Sequence, residues 1–195
     1  QRLAPQLVIL SAQQLSSAVS LREVFMVLNN QGFNLAYGGL IFNRIPALRR
    51  FIPAHFLGED ILQAIEHSEE LLLSPQPVTA VENISAAMQK TALAYLQKRS
   101  LIEAQILQSI DPQVISTDNL NKTNHHLGDG IISALQAGDI NFLDIDIAWA
   151  QKLPGTGGFF ANMDVYFQTA PRVIGDVLGS DGQIIVDWFK NYHPR

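Results

Sequence analysis

Three short apolar runs in the first 73 residues each precede a segment with helical spacing, and this alternation most constrains the fold. The first run, Leu7-Val8-Ile9-Leu10, predicts a strand buried on both faces. The runs at 33–37 and 55–57 predict two more short strands. Strands that alternate with helices predict a parallel sheet with right-handed crossovers. Because three strands are few for such a sheet, we expect part of a doubly wound domain, completed by further chain or by a partner.

The helices between these strands have recognisable start and stop signals. Ser16 and Ser17 offer an N-cap for the first helix, and Gly32 is expected to be its C-cap. A short helix with proline in its first turn is expected at 45–51. A third helix is expected at 59–73, with an inner side formed by Ile61, Leu62, Ile65 and Leu72.

Two prolines, Pro75 and Pro77, fix a backbone that cannot continue this third helix. They predict a linker at 74–81 between a partial α/β domain, 1–73, and a second domain, 82–195. The signals after the linker are helical throughout. We therefore expect a fold of the α/β plus all-α class, in which a helical bundle follows the sheet.

The second domain has the apolar spacing of five helices. Their expected bounds are 82 to before Pro112, Thr117 or Asp118 to Gly138, Ile140 to Leu153, Phe159 to Leu178, and Ile184 to Tyr192. Pro171 is expected to kink or interrupt the fourth. The aromatic side chains predict ordinary core, with the clasping of a planar cofactor as the alternative, for Trp149, Phe159, Phe160, Tyr166, Phe167, Trp188 and Phe189.

Composition argues against several functional classes. Lys and Arg number 13 against 18 Asp and Glu, so a broad basic surface for nucleic acid is not expected on these residues. The absence of cysteine removes disulfides and thiolate chemistry. No apolar run approaches the roughly 20 residues of a membrane span, and no signal peptide is visible, so we expect a cytoplasmic protein without a membrane partner. Phosphate loops, nucleophile elbows and dinucleotide fingerprints are missing, so an enzyme is not expected.

A glycine pair, Gly38 and Gly39, ends the second predicted strand. Neither residue has a Cβ, so a ligand can approach the main chain closely there. Ligands of open parallel sheets bind at the carboxyl ends of strands. A tight strand-to-helix turn is the alternative explanation of the pair.

Three segments, 7–13, 35–39 and 52–59, resemble the last strand–helix units of a cobalamin-binding domain. More closely, Tyr37-Gly38-Gly39 with Asn43-Arg44-Ile45-Pro46 and Phe56-Leu57-Gly58-Glu59 is similar to this region of MerR-family light- or cobalamin-responsive repressors. The resemblance covers residues 3–73. It implies that the nucleotide tail of cobalamin lies between the strand ends. Ser11, Gly38 and Gly39 would then line the tail pocket, with Ala36 and Tyr37 on its wall.

Histidines provide the other candidate ligand contacts. His55 stands beside the end of the third predicted strand, where a ligand phosphate would pass. The family's Asp-x-His-x-x-Gly loop, whose histidine binds cobalt, is expected upstream of Gln1. His125 and His126 belong to a His-x-x-Gly sequence, but Thr123 replaces the aspartate, and a solvated or capping pair is expected.

These observations predict a sensory module of a cobalamin-responsive or light-responsive transcriptional regulator that forms homo-oligomers. Because the chain begins at Gln1 without methionine, we expect a fragment or processed product, with DNA contacted only through residues upstream. A ligand-free dimerisation module and a corrinoid carrier for methyl transfer are the alternatives. The carrier requires the axial histidine loop.

Overall fold

The structure is a computed structural model and describes residues 5–29, 32–78, 81–152 and 163–192. The chain divides into two compact units, Gln1–Asn83 and Ile84–Arg195. Within the described residues, the first unit contains a three-stranded parallel sheet with helices, and the second contains helices alone. The expected combination of an α/β part and a helical part is therefore confirmed. The doubly wound topology stays a prediction.

The sheet consists of β1 (Leu7–Ser11), β2 (Asn34–Gly38) and β3 (His55–Phe56), in the order β1-β2-β3. Both strand pairs are parallel, as the alternation of strands and helices predicts. In the register of the first pair, Ser11 lies beside Gly38. The carboxyl ends of β1 and β2 therefore meet at one edge of the sheet.

The helices of this unit are α1 (Leu15–Leu28), α2 (Leu40–Arg44) and α3 (Ile61–Leu73), with a 3-10 helix at Pro46–Phe51 in place of the short helix expected at 45–51. The sequence pattern predicts one short helix there, whereas the chain forms α2 and then the 3-10 helix.

The expected caps of α1 are wrong. Its N-cap is Gln14, whose side chain makes no capping hydrogen bond, so Ser16 and Ser17 lie inside the helix. Its C-cap is Asn29, and Gly32 adopts a left-handed conformation beyond it. The helix begins at Leu15, before the serines, and the apolar side chain of Leu15 is buried.

Helices pack on both faces of the sheet. On one face, the ring of Tyr37 lies among the rings of Phe25 from α1 and Phe42 from α2. On the other face, Ala36 packs with Leu57 and with Leu71 of α3. Each face of β2 is therefore buried, as a central strand of a parallel sheet requires.

The predicted inner side of α3 is wrong. Ile61, Leu62, Ile65 and Leu72 are 72%, 70%, 51% and 46% exposed, whereas Leu71 is buried and Ala64 packs beside it. Both sets of residues have helical spacing, so periodicity alone does not choose between them. Ala64 is the smaller side chain, and it allows the helix to approach the sheet closely.

The second unit contains α4 (Ala86–Ser109), α5 (Thr117–Gln136), α6 (Phe142–Ala150), α7 (Met163–Leu178) and α8 (Gln183–Asn191), with a 3-10 helix at Gly179–Gly182 before α8. Ser85 and Ser116 cap α4 and α5 through their side chains, so the expected caps of α5, Thr117 and Asp118, lie one and two residues too late. The helix α7 continues through Pro171. The expected start of α7 at Phe159, and Phe160, lie outside the described residues.

The helical unit has a large apolar core, in which Ile102, Leu127, Ala134 and Ile174 are at most 2% exposed. None of the helices in the described residues has both the length and the apolar character that a membrane crossing requires.

Candidate functional site

The carboxyl edge of the sheet is built where β1 and β2 end side by side. The N–H of Ala12 donates a hydrogen bond to the carbonyl of Gly38 at 3.1 Å, which extends the pairing of the two strands by one step. The chain then turns into α1 after β1 and into α2 after β2. The loops that follow both strands are therefore fixed relative to each other.

Gly39 is required by this close approach. Its φ is +119°, a conformation that side chains rarely adopt, and a Cβ there would lie 2.7 Å from the nitrogen of Ala12 and 2.9 Å from its carbonyl carbon. The main chain of Ala12 therefore fills the space that a side chain at position 39 would occupy. At this glycine the structure has the tight strand-to-helix turn that the sequence left open as an alternative.

Gly38 has the opposite surroundings. No heavy atom lies within 4 Å of the position that its Cβ would occupy. Beside it, the exposed Ser11 accepts a hydrogen bond from Nε2 of Gln13 at 3.3 Å. The open part of the carboxyl edge is therefore a patch of bare main chain at Gly38 with the Ser11 hydroxyl next to it, and we call these two residues the Gly38 edge.

Ala36 and Tyr37 lie in the core instead of on an open wall. They are 0% and 1% exposed. The hydroxyl of Tyr37 donates to the carbonyl of Arg49 at 3.4 Å. Burial raises the pKa of this phenol far above its usual value, and nearby Arg49 opposes the shift only in part. These two residues therefore support the Gly38 edge from below and offer no side chain to a ligand on its surface.

His55 lies on β3, on the far side of β2 from Ser11. Its Nε2 is 3.0 Å from the carbonyl oxygen of Gln76. It lines a separate groove of about 430 Å³ with Arg49 and Arg50, and the Gly38 edge is not part of that groove's lining. The structure therefore places His55 beside Ala36 in the sheet and in a groove that Tyr37 also lines, but not with Ser11, Gly38 and Gly39.

The arginines of this groove already have partners. Arg49 pairs with Glu59 at 2.9 Å, donates to the carbonyl of Phe42 and lies 4.0 Å above the ring of Phe56. Arg50 pairs with Glu82 at 3.4 Å. A phosphate would have to displace these partners, so the groove is a poor anion site.

The helical unit contains a polar network that the sequence pattern did not predict. Arg99 on α4 pairs with Glu103 at 2.6 Å and with Asp129 on α5 at 2.5 Å. Gly128 leaves room for the guanidinium, because a Cβ there would lie 3.0 Å from it. This network ties α4 to α5.

The adjacent histidines of α5 do not form a metal site. His125 is 3.4 Å from Asp129, and its carbonyl accepts a hydrogen bond from Arg99. Across the described parts of the chain, no group of three or more His, Asp or Glu side chains is arranged to hold a metal ion.

The chain matches no protein-family model, no curated protein and no solved structure.

We predict that the two glycines differ sharply in their tolerance of alanine. Gly39→Ala should lower the free energy of unfolding of the α/β unit by about 2 kcal/mol or more, because it combines backbone strain with a clash against Ala12. Gly38→Ala should be neutral or stabilising by up to about 1 kcal/mol, because the methyl group enters open space. Urea unfolding followed by circular dichroism measures both, and equal losses would contradict this assignment.

Proposed function

We propose that the α/β unit is the cofactor-facing part of a cobalamin-responsive regulatory protein, as its resemblance to MerR-family repressors implies. The observation that carries the proposal is the placement of Ser11 directly beside Gly38 at the carboxyl edge of a parallel sheet. This is where open α/β sheets bind ligands. Free space above Gly38 and the exposed hydroxyl of Ser11 fit a ligand that lies against main chain.

The residues of the Gly38 edge have distinct roles in this proposal. Gly38 provides flat main chain against which the nucleotide tail of cobalamin lies, and Ser11 provides a hydroxyl that donates to an acceptor on the tail. Gly39 acts indirectly. Its close approach to the main chain of Ala12 fixes the loops after β1 and β2 relative to each other. His55 and His125 have other partners in the structure, so the proposal assigns neither of them as the lower cobalt ligand.

The regulatory output is proposed to be a change in association. A ligand that binds one association state more tightly shifts the equilibrium toward that state by its difference in affinity. The net charge of -5 makes direct phosphate contacts by these residues unfavourable. DNA binding is therefore assigned to other parts of the regulator.

We predict that the 195-residue chain retains hydroxocobalamin in equilibrium dialysis and that Gly38→Val weakens retention at least about 10-fold, because the side chain fills the space above the main chain. The matched control is Gln6→Val, which adds the same side chain just before β1, at the opposite end of the sheet. Circular dichroism checks that both variants are folded. The proposal fails if the unsubstituted chain retains no cobalamin, or if Gly38→Val retains as much as the control.

Exposed apolar surface favours a second candidate, an association module that needs no ligand. Ile61, Leu62 and Ile65 of α3 are each more than half exposed, and Ile9 on β1 is 50% exposed. In the described residues β1 pairs with β2 alone, and the strand contains no charge or proline to discourage a further strand. Exposed apolar side chains on one helix and on an edge strand are typical of association surfaces.

For this second candidate we predict a dimer in sedimentation experiments without cobalamin. Ile65→Lys should shift it to monomer, because a charge would be buried in the interface. Glu66→Lys adds the same side chain at the neighbouring exposed position and should leave the dimer intact. A monomeric unsubstituted chain, or equal effects of the two variants, would contradict the association module.

A further inference from the structure

A cavity of about 420 Å³ opens between α6, α7 and α8 of the helical unit. Its walls are mainly apolar and come from all three helices: Ile147, Met163, Phe167, Phe189 and Tyr192. This volume lies within the range of about 300–1,000 Å³ that is typical of small-molecule sites. The cavity belongs to the helical unit, whereas the Gly38 edge belongs to the α/β unit.

The aromatic wall is held in place by its own packing. The ring of Phe167 lies 5.2 Å from that of Phe189 and 4.9 Å from that of Tyr192. Behind them, Trp188 lies 5.2 Å from Tyr192 and donates its indole N–H to Asp144 at 2.7 Å. A wall that is already ordered loses little conformational entropy when a ligand binds.

The electrostatics of the cavity favour a cation. Asp164, at its rim, is exposed, and the described residues give it no ion pair. The other polar residues that line it are the neutral Gln151 and Gln168, and among the residues that the structure describes no Lys or Arg belongs to the lining. Burial raises the pKa of the Tyr192 phenol, and the carboxylate of Asp144 adds to that effect. The aromatic faces and the carboxylate of Asp164 together attract positive charge.

We propose that this cavity binds an organic ammonium ion with a flat apolar body. The apolar body lies between Phe167, Phe189 and Met163, and the ammonium group points to the carboxylate of Asp164. Gln151 and Gln168 accept hydrogen bonds from the ammonium group through their amide oxygens. The helical unit is thereby assigned a small-molecule site of its own.

The test compares two probes of similar size and opposite charge, 2-phenylethylammonium and 3-phenylpropionate, against the full 195-residue chain. Binding is followed by saturation-transfer NMR and by tryptophan emission, to which Trp188 contributes from its place beside the Tyr192 ring of the cavity wall. We expect the ammonium probe to bind about 10-fold more tightly than the carboxylate, because charge attraction and cation–π contacts act together.

Asp164→Asn should remove most of this preference, because it takes away the rim carboxylate and keeps the side-chain shape. Asp176→Asn is the matched control, since Asp176 is exposed on the same helix outside the cavity. The proposal is overturned if the ammonium probe does not bind, if both probes bind equally, or if the two variants behave alike. Cobalamin retention by the same samples is independent of these results, so failure at one site is distinguishable from failure at the other.

Discussion

The contact between the main chain of Ala12 and Gly39 is the constraint on which the α/β unit depends. It holds the loops after β1 and β2 together, and the hydrogen bond from Ala12 to Gly38 reinforces it. Because the two loops are locked, Ser11 and Gly38 lie side by side with open space above them. One glycine of the pair is therefore architectural, and the other is free to meet a ligand.

The two proposed ligand sites would recognise their ligands by different physical means. At the Gly38 edge the sheet presents bare main chain and one hydroxyl, which suits a large ligand that lies flat. In the helical unit, Phe167, Phe189 and Tyr192 present aromatic faces near Asp164, which suits a small cation. The acidic balance of the chain is consistent with the second site and argues against nucleic acid at either.

Much of the fold followed from the sequence, because apolar runs such as Leu7-Val8-Ile9-Leu10 identify parallel strands. The predicted burial of this run on both faces is wrong, since β1 has only β2 as a neighbour in the described residues and Ile9 is 50% exposed. The sequence did not predict which side of α3 faces the sheet. Apolar side chains cover more of this helix than the sheet buries. At the site, the positions of Ser11 and Gly38 were predictable from the strand ends. The separate role of Gly39, the core positions of Ala36 and Tyr37, and the Arg99–Asp129 pair depend on contacts between residues far apart in the chain, which local patterns do not encode.

The central claim is that cobalamin lies on the Gly38 edge, and amide hydrogen exchange with and without hydroxocobalamin tests it most directly. The account predicts slower exchange at residues 11–14 and 38–40 when the ligand is added, with little change along α3. Unchanged exchange at both loops, or protection confined to other parts of the chain, would contradict it.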